Sequence, residues 1–305
     1  MLPLIDWHPR ATLQPVDFDW LQRAGVEVAV LRLDRIDPLI SGNKWFKLTG
    51  YLQAAHAAGA HGLISLGGAH SNHLHALAAA GKRFGFATVG LLRGHPQQTP
   101  TTLDLERFGM QLHWLGFAGY RARHAAGFWE PWQAQYPLLH NVPEGGGGLA
   151  GAAGCMPLVT QVREQLNALG WDDYDGWWLA AGTGTTLAGL VLGEDPQRTV
   201  YGALAVPDDH GVAPQVEQIL LAAGRVQRNF ELIDASRGGF AKVDEGLLDF
   251  IRDSEAASAL PLEPLYTGKA LMALKQAVEA GRFTAGQRLV FVHTGGLQGR
   301  RGFEA

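Results

Sequence analysis

Two segments far apart in the chain offer complementary chemistry. Ser41-Gly42-Asn43-Lys44 puts a lysine at the mouth of an expected helix, among small polar residues. Gly182-Thr183-Gly184-Thr185-Thr186 follows the apolar run 177–181 and opens a second expected helix. Such a strand-to-helix corner turns free amides and the positive helix end toward an anion, and threonine hydroxyls add donors. No Gly-Lys-Ser/Thr follows, and the next glycine, Gly189, misses the dinucleotide-binding spacing, so the corner reads as a phosphate cup without a nucleotide signature. A reactive amine plus a phosphate cup is what pyridoxal 5'-phosphate (PLP) needs, since its aldehyde bonds a lysine while its phosphate anchors elsewhere. Taken singly, each segment has a plainer reading: an exposed lysine at a helix start, and a tight packing turn.

A lysine that bonds an aldehyde must spend time as the neutral amine, which burial or a neighbouring cation promotes. Trp45 and Phe46 supply apolar bulk, and Lys47 supplies the cation. Three further corners could complete a site. Gly67-Gly68-Ala69-His70-Ser71-Asn72-His73 precedes a helix, where Ser71 or Asn72 could serve as N-cap or receive a substrate carboxylate or cofactor oxygen. Tyr266-Thr267-Gly268-Lys269 precedes another helix, and its tyrosine could act as acid or base. His293-Thr294-Gly295-Gly296 ends an apolar strand, placing Thr294 where it could hydrogen-bond a ring nitrogen. His70, His73 and His75 lack an acidic or cysteine ligand close by, so no metal is expected. Cys155, in an apolar stretch, reads as a buried small residue.

These groups need a scaffold, and the chain supplies one. Its 305 residues are 47% hydrophobic and 18% charged, which argues against disorder. A net charge of -4 disfavours nucleic acid or an anionic membrane as partner, and no apolar run is long enough to span a bilayer. One cysteine and no secretory leader pattern point to a cytoplasmic protein. Strands are expected over 26–33, 62–66, 86–92, 111–115, 138–141, 177–181, 200–206, 230–233 and 289–293. Helices are expected between them, including 45–58, 72–81, 121–135, 149–169, 186–192, 245–259 and 268–280. The alternation implies an α/β protein with mainly parallel sheets, and Gly145-Gly146-Gly147-Gly148 suggests a crossover between two lobes.

Taken in order, the motifs at Lys44, Ser71-Asn72-His73, residues 182–189, Tyr266 and Thr294 resemble the fold-type II PLP enzymes. Within them, the chain is similar to the D-cysteine desulfhydrase and 1-aminocyclopropane-1-carboxylate (ACC) deaminase group. The resemblance implies two open, mainly parallel twisted sheets with helices on both faces, as in the tryptophan synthase β subunit. It also implies a large discontinuous domain, 1–48 with 157–305, a small inserted domain, 49–156, and a homodimer. It puts the cofactor's aldehyde on Lys44, its ring hydroxyl near Asn72, its phosphate in the loop Gly182, Thr183, Gly184, Thr185, Thr186, and its ring nitrogen by Thr294. Lys44, Tyr266 and Ser71 become the catalytic candidates, and Ser71, Asn72, His73, Tyr266 and Phe240 the substrate-binding ones. Deaminases of the group resemble Tyr-Glu-Gly-Lys where this chain has Thr267, and Phe240 stands where a second tyrosine is expected. Gly145–Gly148 likewise departs from Gly-Gly-Ser-Asn. The expected activity is α,β-elimination on a small amino acid, D-cysteine first. ACC deaminase, or a catalytically silent PLP- or phosphometabolite-binding protein, are the alternatives.

Overall fold

The computed structural model describes residues 1–303. Among these residues, ten strands form two sheets. The larger contains β1 (Thr12–Val16), β2 (Glu27–Arg32), β7 (Gly176–Ala181), β8 (Thr199–Leu204), β9 (Phe230–Asp234) and β10 (Arg288–His293), in the order β1-β2-β10-β7-β8-β9. The smaller contains β3 (Gly62–Gly67), β4 (Ala87–Leu92), β5 (Gln111–Trp114) and β6 (Leu139–Asn141), in the order β5-β4-β3-β6. Every pairing is parallel except β1 with β2.

Burial on both faces explains why the central strands are almost wholly apolar. Along β7, Trp177 and Leu179 face a core that includes Leu158, Val159, Leu187 and Val216, while Trp178 and Ala180 face Trp20, Ile251, Leu271 and Leu274. All six residues of β7 and all six of β3 are buried, as parallel strands covered by helices require. In the smaller sheet, Leu63 and Leu92 pack with the helices Asn43–Ala57 and Asn72–Phe84, while Ile64, Leu66, Val89 and Leu91 meet Tyr120 on the far face.

Three expectations change. The 149–169 helix is broken: Gly148–Cys155 ends, Pro157–Arg163 begins, and a 3-10 turn, Leu166–Leu169, follows. Pro157 has no amide proton for the preceding turn, so the ladder cannot run through it. The 121–135 helix is also two pieces, Gly116–Arg121 and Glu130–Gln135, with Gly127 left-handed (φ 78°) between them. Strand β1 was not expected, because Pro15 interrupts its pattern; it survives as an antiparallel edge, where a proline is tolerated.

The C-terminal ends of β3, β4, β7 and β10 lead into residues 67–73, Arg93, residues 182–186 and Thr294, all lining one cleft. Loops at these strand ends are where open parallel sheets hold ligands.

Candidate active site

The cleft has a volume of about 300 Å³. It gathers Lys44, Ser71, Asn72, His73, the loop 182–186, Phe240, Tyr266 and Thr294. Every residue singled out from the sequence for cofactor or substrate therefore borders the same space.

Lys44 occupies the first turn of the helix Asn43–Ala57. Its Nζ donates to Asn43 Oδ1 at 2.8 Å, and Asn43 Nδ2 donates to Thr186 Oγ1, also at 2.8 Å. Two hydrogen bonds thus link the amine to the glycine-threonine loop. Burial, then the charge of Lys47, holds the Lys44 ammonium well below the ordinary lysine range. A neutral amine at moderate pH is a competent nucleophile and proton acceptor.

Lys47 lies one turn further on and is buried, with Nζ 3.4 Å from Thr183 Oγ1. Burial lowers its pKa to about 8. Thr183 Oγ1 is in turn 3.1 Å from Thr185 Oγ1. Gly184 turns the loop with φ 70°, and a β-carbon there would lie 2.4 Å from Val216 Cγ2. A helix beginning at Thr185, hydroxyls from Thr183, Thr185 and Thr186, and one ammonium together suit a phosphate.

Opposite, Ser71 caps the helix Asn72–Phe84 by accepting from the Leu74 amide at 3.2 Å. Asn72 Oδ1 accepts from Gln298 Nε2 at 2.9 Å. His73 is buried behind this corner: Ser65 Oγ donates to the Val142 carbonyl at 2.8 Å and lies 2.8 Å from His73 Nε2. Burial, with Lys44 and Lys47 nearby, lowers the His73 pKa to about 3, so the imidazole is neutral. His75 points elsewhere, to Asp104 Oδ2 at 3.3 Å.

Tyr266 begins the helix Thr267–Glu279 and packs across Gly182, where a β-carbon would come within 3.0 Å of its ring. The buried Glu263 carboxylate accepts the Leu265, Tyr266 and Thr267 amides at 2.8, 2.8 and 2.6 Å. Burial, Glu263 and Glu144 raise the Tyr266 phenol above its ordinary value, so it stays protonated. Phe240 stands against Tyr266, ring centroids 5.5 Å apart. Its loop is held by Lys269, whose buried Nζ donates to the carbonyls of Ser236, Gly239 and Phe240 at 2.9, 2.9 and 3.0 Å.

From the sequence, Lys47 was read only as the cation beside Lys44, while Glu263, the cleft residues Arg93, Tyr120 and Glu144, and Lys269 as a loop clamp were passed over. The three-residue spacing of Lys44 and Lys47 was a usable signal, because such residues share a helix face. The others make tertiary contacts that local spacing does not encode.

Cys155 is buried, and burial raises its thiol to about 11 against the pull of Lys47 and Thr186. It is a packing residue.

Known proteins resemble the chain along most of its length. The family described as "Pyridoxal-phosphate dependent enzyme" matches residues 15–295. A bifunctional D-cysteine desulfhydrase/1-aminocyclopropane-1-carboxylate deaminase of Arabidopsis thaliana is 28% identical, covering 90% of this chain and 73% of that protein. A D-cysteine desulfhydrase of Klebsiella pneumoniae is 25% identical, covering 92% of each. The crystal structure of an ACC deaminase homologue superposes with a TM-score of 0.82 at 26% identity, covering 98% of this chain and 92% of its own.

Proposed function

Because this chain belongs to the pyridoxal-phosphate dependent enzymes, we propose that it is a lyase performing α,β-elimination on a small amino acid, with D-cysteine, giving pyruvate, sulfide and ammonia, as the leading substrate. The observation that carries the reading is the pair of 2.8 Å bonds joining the Lys44 amine through Asn43 to Thr186. One small phosphorylated aldehyde can engage both ends. Bound there, PLP supplies an electron sink for the α-carbon of an attached amino acid.

In this proposal the loop 182–186 and Lys47 hold the phosphate, Asn72 lies by the ring hydroxyl, and Thr294 by the ring nitrogen. Ser71 and its loop receive the substrate carboxylate. Lys44, neutral at moderate pH, takes the α-proton, while Tyr266 keeps its own proton available for the departing group. A hydroxyl such as that of Thr294 does not hold a ring nitrogen protonated as a carboxylate would, which favours prompt loss of the leaving group. His73 and Phe240 complete the substrate wall.

The reading treats 1–48 with 157–305 as a large domain and 49–156 as a small one. It leaves the Lys44 end of the helix Asn43–Ala57 with the larger sheet. It also takes the protein to be a cytoplasmic homodimer. Support for the dimer comes from exposed Leu149 and Leu221, on the adjacent helices Gly148–Cys155 and Val212–Ala222. No helix among the described residues is long and apolar enough to cross a membrane.

The test is spectroscopic and chemical. Wild type incubated with PLP should turn yellow, and Lys44→Ala should lose that absorbance together with all turnover. D-cysteine should yield sulfide and pyruvate. ACC yielding 2-oxobutyrate instead would select the deaminase alternative, for which relatives of both names speak. Cofactor binding with no product from either would select the silent alternative. A colourless wild type would end the proposal.

A further inference from the structure

The rim of the cleft formed by the smaller sheet carries a cation that the lyase reading does not use. Arg93 follows β4 and lines the cavity. Its amide donates to the Gly67 carbonyl at 3.0 Å, which sets it beside the loop leading to Ser71. The next residue, Gly94, exchanges two backbone bonds with Gly116, at 3.4 and 3.0 Å, and the guanidinium lies 5.7 Å from the Phe117 ring centroid. Backbone and aromatic contacts thus brace Arg93 from two sides.

Among the described residues Arg93 has no carboxylate partner. Glu144, the acidic side chain of the same rim, is already engaged: Tyr120 Oη and Arg123 Nε donate to its two oxygens at 2.5 and 2.6 Å. Arg93 is exposed at the cavity wall, and no carboxylate among the described residues neutralises its charge there. An arginine fork there is suited to an oxoanion. The α-carboxylate has its own receiver in the proposed site, at Ser71 and its loop. A substrate with only that one anion would leave Arg93 unused.

We infer that Arg93 receives a second negative charge, so that the substrates include amino acids whose β-substituent is itself an oxoanion, a sulfonate or a phosphate ester. This inference deepens the lyase reading and rests on it. The reaction balances without an oxidant. The α-proton passes to Lys44. The C–S or C–O bond breaks with its electron pair leaving on sulfite or phosphate. Water then converts 2-aminoacrylate to pyruvate and ammonia.

The experiment compares racemic 3-sulfoalanine and O-phosphoserine with β-chloroalanine, whose leaving group is not part of an oxoanionic side chain, on the PLP-loaded enzyme. Arg93→Gln should lower kcat/KM for at least one oxoanionic substrate by about tenfold to a hundredfold, mainly through KM, the range expected for one hydrogen bond to a charged group. The β-chloroalanine value should change less than about threefold, and Arg93→Lys should recover part of the loss. An equal loss on all three substrates would overturn the inference, since Arg93 would then be serving the shared α-carboxylate. So would failure of wild type to turn over either oxoanionic substrate while it consumes β-chloroalanine. Failure on all three while D-cysteine is consumed would overturn it too, and failure on D-cysteine as well would end the lyase reading itself. In that last case calorimetric affinity for 3-sulfoalanine and O-phosphoserine, wild type against Arg93→Gln, decides whether Arg93 receives the second charge: unchanged affinity overturns that assignment, and about tenfold weaker binding supports it.

Discussion

Lys44 and Lys47 share one face of a helix, yet their surroundings fit them for different work. The Lys44 ammonium is destabilised by burial and by Lys47, so its useful form is the free amine. Lys47 rests against Thr183 and titrates near 8, so at neutral pH it is mostly a cation aimed at an anion. A group that binds a phosphate only when protonated loses that contribution as pH rises above its free-state pKa. Affinity for pyridoxamine 5'-phosphate, which carries the phosphate but no aldehyde, should therefore fall from about pH 8 upward. Lys47→Met should bind more weakly at pH 7 and lose that pH dependence; calorimetry at several pH values checks both. The sequence made Lys44 legible because a lysine beside Gly42-Asn43 is unusual in company, and Thr183–Thr186 because glycine and threonine alternate at a corner. Glu263 was not legible. Its importance lies in complete burial against three amides, and nothing in the string of letters marks an acidic residue as buried.

The elements were read more easily than their interruptions. Nine of the ten strands were expected close to their observed positions, because parallel strands covered on both faces are apolar runs with clear ends. The missed strand, β1, is an edge with one wet face and a proline, so it lacks that signature. The break in the 149–169 helix was missed because an apolar stripe continues across Pro157 while the hydrogen-bond ladder does not. Where two elements meet at the site, one glycine sets the distance. Gly42 has φ 75°, and a β-carbon on it would lie 2.1 Å from the Thr294 carbonyl oxygen, while the Asn43 amide donates to that same oxygen at 3.1 Å. Gly42→Ala must force the start of the Lys44 helix away from Thr294. Left-handed strain alone costs about 1 kcal/mol, and the clash adds more. The variant should melt several degrees below wild type in calorimetry and bind PLP more weakly by absorbance titration. Unchanged melting and affinity would sink this account of how the helix and β10 are spaced.

At the scale of the whole molecule, the last described segment joins the two sheets' neighbourhoods. In the 3-10 stretch Leu297–Gly302, Gln298 donates to Asn72, Arg301 Nη2 lies 2.6 Å from Asp104 Oδ2, and Arg300 pairs with Glu255 at 2.9 Å. Burial opposes ionisation of Asp104, but the bond and charge of Arg301 prevail and hold its carboxyl below the ordinary range. That pairing stabilises the fold at neutral pH and is lost as pH falls through the lowered carboxyl value. Arg301→Ala should cost about 1 kcal/mol near pH 7, since the pair is partly exposed, and the gap from wild type should close in acid. Melting curves at pH 7 and pH 3 measure both. The strand order has one more consequence, for biosynthesis. β10, made after every other strand of its sheet, lies between β2 and β7, which are made much earlier. Until it arrives, those two strands have no common neighbour, and nascent chains stalled before residue 288 should expose sticky edges to chaperones and proteases.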